Sequence, residues 1–118
     1  MTDELSIFTT VLPTELLNRG FRSRDEFAWA RADAIEAIDR LERAGVTILG
    51  VDVWIPSPRG PIISRHFVYD WDMDTCGARP GWPRSAKEFV RTFEWDPKDT
   101  GCRGHEPYFN LTVEDQKS

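Results

Sequence analysis

Cysteine occurs only twice in these 118 residues, at Cys76 and Cys102, which is too few for a disulfide-built scaffold. Basic residues are also in short supply: 15 Lys and Arg face 20 Asp and Glu, for a net charge of −5. That balance argues against nonspecific nucleic-acid binding, which needs Lys and Arg clustered on one face to meet phosphates. No stretch approaches the ~18 apolar residues of a membrane span. The N-terminus, Met1-Thr2-Asp3-Glu4-Leu5, has no basic segment leading into an apolar run, so no secretory signal is expected. A cytoplasmic protein without membrane contact follows as the expectation, and with it thiols at Cys76 and Cys102 in preference to a disulfide. No internal repeat and no low-complexity linker divides the chain, and residues 1–118 read as a single domain.

Aromatic and charged residues are plentiful. The chain is 40% hydrophobic, 12% aromatic and 30% charged, a composition that supports a packed globule. Five Trp is rich for so short a chain: a buried Trp is a large apolar mass and an exposed one a favoured interface anchor, so five suggest that some are not merely core.

The pattern of apolar residues predicts the elements. Leu12 to Gly20 has Pro in its first turn and Gly just past its end, the marks of a short helix. Phe27, Ala28 and Trp29 form a brief extended run. The main helix is predicted from Ala32 to Ala44, with Ala34, Ile35, Ile38, Leu41 and Ala44 on one face and Gly45 as its stop. Its other face carries Glu36 with Arg40 and Asp39 with Arg43 at i, i+4, as on a solvated surface. Val46 to Trp54 is a β-branched run expected to be a central strand beneath that helix. After a loop bearing Pro56, Pro58, Gly60 and Pro61, Phe67 to Asp74 alternates with period two: Phe67, Tyr69, Trp71 and Met73 face one way, Val68, Asp70, Asp72 and Asp74 the other. Ser85-Ala86-Lys87-Glu88 has capping-box spacing and opens a helix with Phe89, Val90 and Phe93 as its stripe. Tyr108 to Val113 is the last strand.

None of the reactive patterns is complete. Asp70, Asp72 and Asp74 could offer oxygens to a divalent cation, but a calcium loop counted from Asp70 would have Thr75 and Gly81 where Gly and Glu are required. Cys76, Cys102 and His105 fall short of the four ligands of a structural zinc site. His66 has no strained nucleophile turn to serve. Gly101-Cys102-Arg103-Gly104 lacks the Lys-Ser/Thr ending of a phosphate loop. No catalytic, metal-binding or cofactor-binding residue is therefore assigned, and no enzymatic activity is expected.

What remains is an aromatic and acidic rim: Asp52, Trp54, Asp70, Trp71, Asp72, Asp74 and Trp82. These are the candidate partner-binding residues, because Trp concentrates binding energy and fixed acids speed encounter with a basic protein. Tyr69 and Trp71 read more readily as the core side of their strand, which leaves Trp54 and Trp82, beside Pro and Gly loops, as the better candidates for exposure.

At the helix, Ile48-Leu49-Gly50-Val51-Asp52-Val53-Trp54, the Pro-rich loop and Phe67-Val68-Tyr69-Asp70-Trp71, the chain resembles the immunity proteins of bacterial polymorphic toxin systems, most nearly the immunity protein 40 family. The likeness spans roughly Trp29 to Asp74 and rests on hydrophobic strands with aromatic ends. It implies a compact cytoplasmic α+β protein that binds and neutralises a cognate toxin domain. The acidic charge extends that expectation to a nuclease, whose basic cleft an acidic protein could cover. Two other readings stand beside it: an adaptor that adds a strand at its sheet edge, and a small metal-dependent hydrolase using Asp70, Asp72 and Asp74. The expected fold class is α+β, a small mainly antiparallel sheet with the main helix packed on one face and a second short C-terminal helix.

Overall fold

A computed structural model describes residues 4–61, 69–76, 80–102 and 104–114. In chain order the elements are α1 (Glu4–Val11), α2 (Thr14–Arg19), β1 (Phe21–Ser23), β2 (Glu26–Ala30), α3 (Arg31–Arg43), β3 (Ile48–Trp54), β4 (Asp70–Asp72), α4 (Ala86–Thr92) and β5 (Tyr108–Val113). The strands make one antiparallel sheet in the order β1-β2-β5-β3-β4, with the helices packed on one side. The α+β expectation is met.

Two elements escape a reading of periodicity. Helix α1 buries Ile7 and Phe8 against the sheet, and the run at Phe27 to Trp29 is half of a hairpin whose first strand begins at Phe21. Arg24, with φ at 55°, takes the left-handed conformation that a two-residue connection between Ser23 and Glu26 demands. Gly20, read as a helix stop, has an ordinary extended backbone at φ −81° and ψ 160°. Its value lies elsewhere: a Cβ there would sit 2.6 Å from Trp29 Nε1, which donates to Leu16 O at 2.9 Å. The missing side chain lets a fully buried indole lie against α2.

Helix α3 runs from Arg31, one residue earlier than expected, and buries Ala34, Ala37, Ile38 and Leu41. Ala37 replaces Ala44 in the buried stripe; Ala44 is exposed because the helix is already closing there. Gly45 at φ 82° and the bond from Val46 N to Leu41 O at 2.9 Å complete that closure. Of the two predicted ion pairs on its outer side, Arg40 with Glu36 forms at 2.9 Å, whereas Asp39 meets Lys87 of α4 at 3.1 Å. Glu36 and Asp33 also receive Arg19 of α2, at 3.4 and 3.1 Å. The polar face of α3 thus docks two neighbouring helices.

Helix α4 is capped as its sequence foretells: Ser85 Oγ accepts from Glu88 N at 3.1 Å, while Glu88 Oε2 accepts from Arg84 N at 2.8 Å. Its far end is held by Arg31, whose guanidinium donates to Val90 O at 2.6 Å and Phe93 O at 2.9 Å and lies over the Phe109 ring. A fixed cation at the helix C-terminus meets both the orphan carbonyls and the negative end of the dipole.

Strand β3 is interior, but the middle of the sheet belongs to β5, which pairs with both β2 and β3. Strand β4 is an edge and shorter than its alternation predicts. The bonds from Val53 N to Tyr69 O and from Met73 N to Leu49 O extend the pairing by one residue at each end, after which Met73 to Cys76 turn away. Phe67 and Val68, with His66, lie outside the described residues. Beneath the helices, Phe27, Trp29, Val51, Val53, Trp71, Phe109, Leu111 and Val113 form the sheet's contribution to the core. Cys76 and Cys102 are thiols, not a disulfide, as expected, with Cys102 Sγ donating to Asp99 Oδ2 at 3.2 Å.

Candidate protein-binding face

The alternation that sends Val51, Val53, Phe109 and Leu111 under the helices sends Asp52, Trp54, Tyr108, Asn110 and Thr112 to the other face of the sheet. Register then fixes the neighbours. Asp70, Asp52, Asn110, Ala28 and Phe21 form one transverse row across all five strands, each paired with the next. A second row places Asp72 beside Gly50 and Thr112.

Asp52 and Asp70 are exposed and directly opposite one another. The odd residues of β4 carry the bonds to β3, so the Asp52–Asp70 pair occupies a non-hydrogen-bonded site, where Cα atoms approach to about 4.5 Å and side chains stand closest. Like charges at such a site repel. Asp52 accordingly has its carboxyl raised above the usual carboxylate range, first by partial burial against the sheet, then by the charges of Asp70 and Glu26.

Further along the row the face closes over. Phe21 and Trp54 pack edge to face with centroids 6.3 Å apart, although their strands are separated by β2 and β5, or roughly 14 Å of sheet. The two rings must therefore lean towards each other across β2 and β5, and Ala28 and Asn110 of those strands are 0% and 1% exposed. Asn110 Nδ2 donates to Phe27 O at 2.9 Å, while its Oδ1 is buried without a hydrogen-bond partner.

No family model matches the chain, and no curated protein or solved structure matches it either.

The seven residues singled out from sequence thus separate. Asp52, Asp70, Asp72 and Trp54 share the outer face. Trp54 is 4% exposed, against the expectation, because the Phe21 ring covers it where a loop position alone promised solvent. Trp71 lies on the opposite face, in the core, with Nε1 donating to Pro83 O at 3.0 Å. Trp82 is half-buried against that same core rather than free, since the chain after β4 folds back over the helical side. Asp74 is exposed but past the end of β4, its backbone N–H held by Asp72 Oδ1 at 2.8 Å. Among the described residues no three of His, Cys, Asp and Glu are gathered as for a metal ion.

Reading the sequence missed Glu26, Phe21, Ala28 and Asn110 as members of this face. The period-two pattern puts Asn110 opposite Phe109 and Leu111 in orientation, but its neighbours Asp52 and Ala28 come from register. Two shallow clefts open elsewhere. One of about 350 Å³ is lined by Arg31, Trp95 and His105, and one of about 380 Å³ by Trp71, Met73 and Arg84. Arg31 in the first is already engaged with α4.

Proposed function

We propose that this chain is a protein-binding module of the immunity type, which neutralises a cognate toxin domain in the cytoplasm through the outer face of its sheet. The observation that carries the reading is the close Asp52–Asp70 pair, flanked by Asp72 and Glu26 on an open sheet face. Facing carboxylates weaken the isolated fold, and a basic partner surface would turn that repulsion into attraction. The likeness of Ile48 to Trp54 and Phe67 to Trp71 to immunity proteins supplies the class of partner. Negative charge supplies the expected sign of the partner's surface, as on a nuclease cleft. No helix among the described residues is long and apolar enough to cross a membrane.

Co-expression with the product of the neighbouring gene tests the proposal. Rescue of the cells, with both proteins co-purifying at fixed stoichiometry, is the expected result. No rescue and no complex, with the neighbour well expressed, would remove it. A second reading, strand addition at an adaptor's edge, draws on β4 being a short edge strand. Its mark would be concentration-dependent self-association that Pro at Asp72 abolishes.

A further inference from the structure

We infer that Asp52, Asp70 and Asn110 form a seat for one guanidinium group, presented by an arginine of the partner protein. The inference rests on the protein-binding reading and assigns that face its central contact.

Three acceptors lie side by side on adjacent strands: the Asp70 carboxylate on β4, the Asp52 carboxylate on β3 and the Asn110 amide on β5. Asn110 gives the row its second, independent mark. Its nitrogen end is engaged by Phe27 O of β2, its oxygen is buried without a hydrogen-bond partner, and its cross-strand neighbour on the side away from β2 is Asp52. A buried amide oxygen without a donor weakens the fold, as does the facing carboxylate pair beside it. Both defects are of one kind: acceptors in excess, with a donor and a positive charge missing.

The spacing selects the donor. Neighbouring strands are about 4.8 Å apart, so the three acceptors extend across two such steps. A divalent cation needs several oxygens converging at about 2.0–2.6 Å, and among the described residues no three of His, Cys, Asp and Glu are gathered in that way. An ammonium is a compact point charge with strong hydration. A guanidinium is flat, weakly hydrated and carries five N–H donors along its edges, so one group can bridge successive acceptors in a row. Asp52 and Asp70 form the exposed mouth, and Asn110, next to Asp52 in the row and 1% exposed, forms the buried floor. The cation meets the carboxylates first and reaches the amide oxygen as the Trp54 ring yields. That indole then walls the seat and offers its face to the charge.

The test uses the whole ¹⁵N-labelled chain and ethylguanidinium chloride as the probe, with sodium chloride at matched ionic strength as the reference. The expected result is a saturable shift of the Asn110 side-chain amide and Trp54 indole signals that sodium chloride does not produce. Asn110→Leu should weaken probe binding by about tenfold, the loss of one hydrogen bond to a charged donor. Asp70→Asn, at an exposed edge where folding is not at stake, should weaken it by a similar factor. Shifts no larger than with sodium chloride, or unchanged binding in a folded Asn110→Leu or Asp70→Asn protein, would overturn the seat. Failure of the probe alongside a captured partner removes the seat and leaves the protein-binding reading; a seated probe with no partner captured does the reverse.

Discussion

Replacing Asp52 by Asn should make the isolated protein more stable, and the gain should depend on pH. Asp52 faces Asp70 at the closest kind of cross-strand site, with Glu26 adding to the negative field. A like-charged pair in that position costs about 0.2–1 kcal/mol; both side chains are exposed, so about 0.5 kcal/mol is the expected relief at neutral pH. For a domain of this size that corresponds to a rise in Tm of about 2 °C. The pH dependence follows from the raised carboxyl. A raised folded-state value means that the native state binds the proton more tightly than the unfolded chain. Asp52 therefore favours folding fully below its ordinary value of 3.8, and that contribution is lost as pH rises through its folded-state value. The wild-type protein and Asp52→Asn should accordingly be equally stable in acid, diverge as pH rises through that window, and differ by a constant amount above it. Urea unfolding at several pH values, repeated in high salt to screen the repulsion, measures this. A gain that persists undiminished at pH 3, or a loss of stability at pH 7, would refute the electrostatic account of the face.

Other changes separate structure from binding. Gly20→Ala should cost about 1–3 kcal/mol, read by thermal unfolding, because its Cβ would press on a buried indole that has no room to retreat. Arg31→Ala should cost about 2 kcal/mol and loosen the end of α4, seen as faster hydrogen exchange at Phe93 and Glu94, since it removes the cation that holds Val90 O and Phe93 O. Trp71→Ala, in the core, should cost about 3–5 kcal/mol in chemical denaturation. Asp72→Lys should leave stability within about 0.5 kcal/mol while slowing association with a captured partner, measured by surface binding kinetics at low salt.

Much of the local structure could be read from residue order. The helix from Ala32 to Ala44, the cap at Ser85 and the alternation of Tyr108 to Val113 each rest on neighbours within a turn or two of chain, and each formed within about a residue of the expected place. The short β1–β2 hairpin was harder to see because Phe21 to Ser23 has too few residues to display a period. Trp71 was legible as core from its alternation with Asp70 and Asp72. Trp54 was misjudged for a different reason: proximity to Pro56 says where the chain turns, not what covers the ring before it.

From its sequence alone, this protein was determined to be acidic and α+β, with Asp70 and Asp72 facing away from the apolar stripe of their strand. Side-chain direction in a strand depends only on position, and for that a linear pattern is sufficient. The tertiary structure alone decided that β5 lies in the middle of the sheet. That placement brings Asn110 between Asp52 and Ala28 and allows Phe21 to reach Trp54. Such neighbours are set by the register of strands far apart in the chain, where a shift of one residue would turn every side chain to the opposite face.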